Sequence, residues 1–375
     1  MEETSLYIHI PFCKQKCLYC DFPSYSGKEK FMEEYIEALN KEILNKAEKY
    51  TINSIFIGGG TPSYLKDSSL EILLITLNKL NLKENLEFTM ECNPGTLNRE
   101  KLRLMKKYKV NRISMGLQST KNSILKEIGR IHSYEEFKNN YFLAREIGFN
   151  NINVDLMFGL PKQRLEDWKE SLEEIGKLEP EHISAYSLII EEGTIFYNLY
   201  DQDKLELPEE NQEREMYLAT KEILNNYGYH QYEISNFAKQ GKECFHNKVY
   251  WKCNEYLGLG VSASSFVHKR RIKNIDDIQE YIRKINNNES VIEEIHANNI
   301  KDDMEEFMFM GLRMIEGISI NEFKERFNKN INEVYGDVIE KNIKKELLIC
   351  NSERLFLSAK GIELSNYVMS DFIIS

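Results

Sequence analysis

Three cysteines, Cys13, Cys17 and Cys20, stand in the pattern C-x3-C-x2-C near the start of the chain. Three thiolates on one short loop can hold three irons of a 4Fe-4S cluster. The fourth iron is then left without a protein thiolate. Its open positions can chelate an amino and a carboxylate group, as in the methionine part of S-adenosylmethionine, which gives a reason for three cysteines in place of four. The competing reading is zinc, which takes four ligands in structural sites; His9 or Cys92 could complete such a set. Zinc motifs normally pair two C-x2-C elements, whereas one compact triplet is present here. The chain has 7 cysteines, an odd number, and their crowding suggests metal ligation in a reducing compartment before disulfides.

A second group of residues has ligand-holding chemistry. Ser54-Ile55-Phe56-Ile57 runs into Gly58-Gly59-Gly60-Thr61-Pro62, and a triple glycine at a strand end lets a ligand approach the backbone. No Gly-Lys-Ser/Thr follows, so this is not a P-loop. Glu91, Gln118 and Asp155 each fall at the end of an expected strand, and Arg130 follows in IGRIHS. Any one of them alone reads as a satisfied loop or barrel-interior group. Their recurrence on successive units differs, because side chains at strand C-termini converge on one site. A cationic sulfonium and ammonium ligand calls for carboxylates such as Glu91, and ribose hydroxyls call for acceptors such as Asp155.

The third candidate is His246-Asn247-Lys248-Val249-Tyr250-Trp251. His246 can supply an axial imidazole to iron. Tyr250 and Trp251 offer flat apolar faces to a macrocycle. Cys244 and Cys253 flank the stretch as alternative soft ligands. The plainer reading is a packed loop of a histidine beside aromatics.

These residues need a scaffold. The chain of 375 residues is 42% hydrophobic and 29% charged, ordinary for a globular protein with a sizeable core. A net charge of -11 argues against a general nucleic-acid or anionic-membrane binder. No apolar run approaches the ~20 residues that span a bilayer, and the acidic, then strand-like start reads as no signal peptide, so the expected location is cytoplasmic. Strand-like runs at Leu6–Ile10, Ser54–Ile57, Leu86–Glu91, Arg112–Met115, Ile152–Met157 and His182–Leu188 alternate with helix-period stretches. Such alternation predicts an α/β barrel or partial barrel of about six units, with function at the strand C-termini. Residues 1–230 form this unit. Residues 231–295, rich in Gly, Tyr and Ser, read as a connecting region. Residues 296–375 read as helices followed by a two-stranded ribbon, a small winged-helix-like α+β domain in a packing or partner-docking role.

YIHIPFCKQKCLYCDF resembles the cluster loop of radical S-adenosylmethionine proteins, and more closely that of the oxygen-independent coproporphyrinogen III oxidase-like family. GGGTP, YEISNFA and GLGVSAS extend the resemblance over most of the chain. It implies a partial (β/α)6 radical-SAM barrel, a cluster on Cys13, Cys17 and Cys20, and S-adenosylmethionine held by Gly59, Gly60, Thr61, Glu91, Gln118, Arg130, Asp155 and the Tyr7 position. Oxidase members of the family read Cys-x-Cys at the end of the loop, whereas Phe22 occupies that place here. Their N-terminal leader is also longer. The His246–Trp251 stretch is similar to the HNxxYW signature of the family's heme-chaperone branch. The implied function is therefore a heme carrier without coproporphyrinogen oxidase activity. Its expected partners are heme, heme-acceptor proteins such as respiratory cytochromes, and an electron donor for the cluster, with membrane contact only through acceptors. The competing implication is oxidative decarboxylation of coproporphyrinogen III; a radical enzyme with another substrate is a third.

Overall fold

The computed structural model describes residues 2–373. Six strands, β1 (Glu3–Ile10), β2 (Thr51–Gly59), β3 (Asn81–Cys92), β4 (Arg112–Gln118), β5 (Ile152–Phe158) and β6 (His182–Ser187), lie side by side and parallel in chain order. Parallel neighbours cannot be joined by hairpins, so each connection crosses over through a helix. The helices Met32–Ala47, Asp67–Leu77, Arg99–Lys107, Tyr134–Ile147 and Leu165–Leu178 each bury an apolar stripe on the outside of the sheet. Leu70, Leu73 and Leu74 are such a stripe, and so are Trp168, Leu172 and Ile175. A capping box of Ser133 and Glu136 starts the Tyr134–Ile147 helix. This is an α/β fold, a partial (β/α)6 barrel, as the alternating pattern predicts.

Residues 231–295 do more than connect. β7 (His230–Glu233) and β8 (Asn236–Ala238) extend the sheet beyond β6, and β9 (Tyr256–Leu259) pairs in parallel with β1. Antiparallel β10 (Ser264–Val267), β11 (Arg270–Asn274) and β12 (Ile292–Ala297) continue outward from β9. The result is one 12-stranded sheet, β12-β11-β10-β9-β1-β2-β3-β4-β5-β6-β8-β7. The added strands are too short for a readable period-2 pattern. The helix Glu210–Asn226 is likewise absent from the sequence reading, because its buried stripe is only Met216, Ala219, Thr220 and Leu224.

A second apolar core lies in the C-terminal part. Helices Ile300–Gly311, Ile320–Phe327 and Ile331–Lys344 pack with a small antiparallel sheet in which β15 (Arg354–Leu357) lies between β13 (Ile318–Ser319) and β14 (Leu348–Cys350). Three helices and a β14–β15 hairpin give the winged-helix-like arrangement. This unit is fastened to the barrel by Arg271–Glu306 at 2.7 Å and by Arg326, which donates to the Cys253 carbonyl at 2.7 Å. No helix among the described residues is long and apolar enough to cross a membrane.

Candidate functional site

Successive side chains of a strand point to opposite faces. On β4, Ile113, Met115 and Leu117 face the helices, while Arg112, Ser114, Gly116 and Gln118 face the barrel interior. Asn153, Asp155 and Met157 of β5, and Ser184 and Tyr186 of β6, line the same interior. They enclose a cavity of about 500 Å³. Cys13, Cys17, Cys20, Gly59, Gly60, Thr61, Glu91, Gln118, Arg130 and Asp155 all border it. Tyr7, His246, Tyr250 and Trp251 do not.

The cysteine loop follows β1 and folds over the cavity rim. Its backbone is tied down where Cys13 donates to the Tyr25 carbonyl at 3.0 Å and Leu18 to that of Ile128 at 3.2 Å. The Cys13 thiol is buried at 7% exposure and meets the Thr61 hydroxyl at 3.5 Å. A Cβ at Gly60 would sit 3.0 Å from the Cys13 sulfur and 2.8 Å from the Phe12 carbonyl, so the glycine is what lets the two loops close on each other. Arg130 donates to the Cys17 sulfur at 3.5 Å. Burial raises the Cys13 thiol, and burial followed by Cys17 pushes Cys20 up to about 11, so iron binding must displace protons. A zinc set completed by His9 is disfavoured: its ring nitrogens are taken by the Tyr7 hydroxyl at 3.0 Å and the Pro23 carbonyl at 2.8 Å. Among the described residues, no three His, Cys, Asp or Glu side chains are grouped to hold one metal ion. Three unpaired cysteines around an open space suit a cluster better than a single ion.

The remaining wall suits a polar, cationic ligand. Glu91 accepts from the Gly59 amide at 3.1 Å. Asp155 accepts from Asn153 at 2.7 Å and from the Ser114 hydroxyl at 3.3 Å. Burial, then the neighbouring Asp155, pushes Glu91 up to about 8; burial also raises Asp155. Several buried polar atoms have no protein partner: Gln118 Oε1, Arg130 Nε and Arg112 Nε. Gln118 also sits at φ +73, in the left-handed region. Strain and orphaned polar atoms concentrate at functional sites. Tyr7 lies just behind the wall, its ring stacked on Phe56 at 6.3 Å.

The His246–Trp251 stretch forms a short helix, Phe245–Trp251, which borders the cavity through Asn247 alone. Glu87 of β3 accepts from the backbone amides of Phe245 at 2.9 Å and His246 at 3.0 Å, capping the start of the helix. His246 is fully buried. Its Nδ1 meets the Ser54 hydroxyl at 2.8 Å and its Nε2 the Tyr250 hydroxyl at 2.9 Å. Its ring stacks on Phe56 at 5.2 Å, and burial with the Arg112 charge pushes its pKa down to about 3. Trp251 points the other way, under the Arg313 guanidinium at 4.4 Å, at the junction with the C-terminal unit. Cys244 and Cys253 are both buried.

Sequence reasoning missed Phe56, Asn93, Arg112, Ser114 and Asn153 as wall residues. The signal was available: in RISMGLQ every second residue is polar or glycine within a wholly buried strand. A buried arginine at 2% exposure is rare enough to mark a site by itself. Phe22, at 61% exposure, stands at the cavity rim.

Known proteins resemble this chain over most of its length. Residues 7–175 match the Radical SAM superfamily, and residues 300–364 match the HemN C-terminal domain. The heme chaperone HemW of Bacillus subtilis is 39% identical over 98% of this chain and 99% of its own. HemW of Lactococcus lactis is 37% identical over 99% of this chain and 97% of its own. Among solved structures, coproporphyrinogen III oxidase (HemN) from Escherichia coli superposes with a TM-score of 0.87 at 23% identity, covering 99% of this chain and 90% of that one. That likeness shows a shared fold.

Proposed function

The chain belongs to the radical SAM superfamily, in the family of the heme chaperones HemW, and from that premise we propose that it binds heme, a 4Fe-4S cluster and S-adenosylmethionine and delivers heme to acceptor proteins such as respiratory cytochromes. The observation that carries this reading is the 39% identity, over nearly the whole of both chains, to a protein named for heme chaperoning. Phe22 adds to it. It stands where oxidase members of the family carry a further cysteine, and a phenyl ring cannot do thiol chemistry.

In this reading Cys13, Cys17 and Cys20 would hold the cluster. Gly59, Gly60, Thr61, Gln118, Arg130, Glu91, Asp155 and Tyr7 would hold S-adenosylmethionine. A cluster held there would provide one-electron chemistry toward a sulfonium ligand, with its electrons coming from a donor partner. The chain's own part is positioning: Arg130 braces Cys17, and Glu91 and Asp155 offer negative charge to a cationic ligand. His246, Tyr250 and Trp251 are proposed to contact heme. His246 would be free to contact heme only once its bond to Tyr250 or Ser54 had opened.

Titration of heme into anaerobically reconstituted protein tests the reading. A saturable Soret band is expected, and no protoporphyrinogen should form from coproporphyrinogen III with reductant and S-adenosylmethionine. Enzyme-like product formation would reverse the assignment.

The cavity makes its own prediction. Losing a charged hydrogen bond costs roughly 1.5–3 kcal/mol, so Asp155→Ala and Glu91→Ala should weaken S-adenosylmethionine about 10- to 150-fold. Because Glu91 titrates near 8, it is largely protonated at neutral pH, and a cationic ligand must drive a proton off it. Affinity should therefore rise with pH between about 6 and 8, and the slope should flatten in Glu91→Gln. Calorimetry in buffers of different ionisation enthalpy reads the released proton directly. A pH-independent affinity in the parent removes Glu91 from the site.

A further inference from the structure

Of the motif His246–Trp251, Asn247 alone borders the cavity, which Phe56 and Arg112 also line. It is half-buried, and among the described residues no side-chain hydrogen bond engages its carboxamide. His246, next to it, is turned away, with both ring nitrogens bonded and its face against Phe56. Arg112 is 2% exposed, and its Nε has no partner. Asn247 thus presents a carboxamide without a protein partner to a cavity that the buried Arg112 also lines. A carboxamide at a cavity wall that no protein group engages keeps both its donor and its acceptor available to a ligand.

The strand direction places this pair. The cysteine loop and Gly59–Thr61 form the rim, at the C-terminal strand ends. Phe56 lies four residues below Gly60, about 13 Å along the strand, a distance an extended S-adenosylmethionine molecule can span. The helix Phe245–Trp251 therefore closes the lower end of the cavity, anchored there by Glu87 and Ser54.

We propose that Asn247 is a ligand-contacting residue at the floor of the S-adenosylmethionine cavity. Its carboxamide supplies an uncharged donor and acceptor together. Beside Arg112, which can only donate, the amide oxygen gives the acceptor that a ligand amine or hydroxyl requires. On this account the motif serves the cavity through Asn247, while His246 holds the helix in place. The inference rests on the reading of the cavity as the S-adenosylmethionine site.

The test is equilibrium binding of S-adenosylmethionine to the anaerobically reconstituted holoprotein, for the parent, Asn247→Ser and Asn247→Leu. Losing one uncharged hydrogen bond predicts about 3- to 10-fold weaker binding in Asn247→Ser. Asn247→Leu, which also puts a branched apolar group at the floor, should be weaker still. Iron content and melting temperature should match the parent. If Asn247→Leu does not fold, Asn247→Ser decides. Affinities within twofold of the parent in the folded variants overturn the inference and leave the cavity reading intact. A parent that binds no S-adenosylmethionine overturns both.

Discussion

Replacing Cys13, Cys17 and Cys20 together by alanine is expected to abolish the cluster, lowering iron and sulfide after anaerobic reconstitution from about four of each per chain to near zero. The loop should keep its path, because backbone bonds hold it: Cys13 to Tyr25, Leu18 to Ile128, and Phe196 to the Leu18 carbonyl. Among the described residues the other cysteines are not grouped to replace the triplet, although Cys92 borders the same cavity. Cys244 and Cys253 lie buried around the Phe245–Trp251 helix, and Cys350 is exposed on the C-terminal unit. Cys92 is buried and bonded toward the Met90 carbonyl. The loss should therefore be complete, with little change in circular dichroism or melting temperature. Retention of near four irons would move the cluster elsewhere and overturn the meaning given to the C-x3-C-x2-C spacing.

The cluster loop and Gly58–Thr61 were legible in the sequence because their chemistry is local. Thiol spacing and a run of glycines can be read within a few residues. The six parallel strands were legible for a related reason, since each is a dense apolar run bounded by helix-period stretches. What escaped was built from distant partners. The Phe245–Trp251 helix is capped by Glu87, 158 residues away from Phe245. No local rule predicts that a carboxylate on another strand satisfies those amides. Arg112 escaped, and Asn247 was named only within the heme stretch, because a place at the cavity depends on which face of an element a residue occupies. Trp251 gave an aromatic signal that fits heme, yet its ring lies beneath Arg313 at the junction of the two units. Residues 231–295 join both margins of the sheet through strands whose partners are set by tertiary pairing rather than by propensity.

His246→Ala should cost about 2–4 kcal/mol of stability, whatever its effect on heme. The imidazole is fully buried against Phe56. Removing it opens a void and leaves the Tyr250 hydroxyl without its 2.9 Å partner; Ser54 keeps its bond to Ser5 at 2.9 Å. The effect carries a pH signature. His246 is held near 3 when folded, by burial and then by the Arg112 charge, but titrates near 6.5 when unfolded. Its native state binds fewer protons, so the stability it contributes is present above about 6.5 and declines as pH falls toward 3. His9, His132 and His182 are depressed in the same direction, so the parent's acid sensitivity alone is not diagnostic. The difference between parent and variant is. Denaturant titrations should show a gap that is full at pH 7.5 and narrower at pH 5. A constant gap would mean that His246 is not neutral and buried in the native state. Heme titration of the same folded variant separates the two roles. A weaker or shifted Soret band supports the imidazole as a heme contact reached by opening the Tyr250 bond. An unchanged band with the full stability loss leaves His246 as the residue that fixes the floor helix and removes it as the ligand.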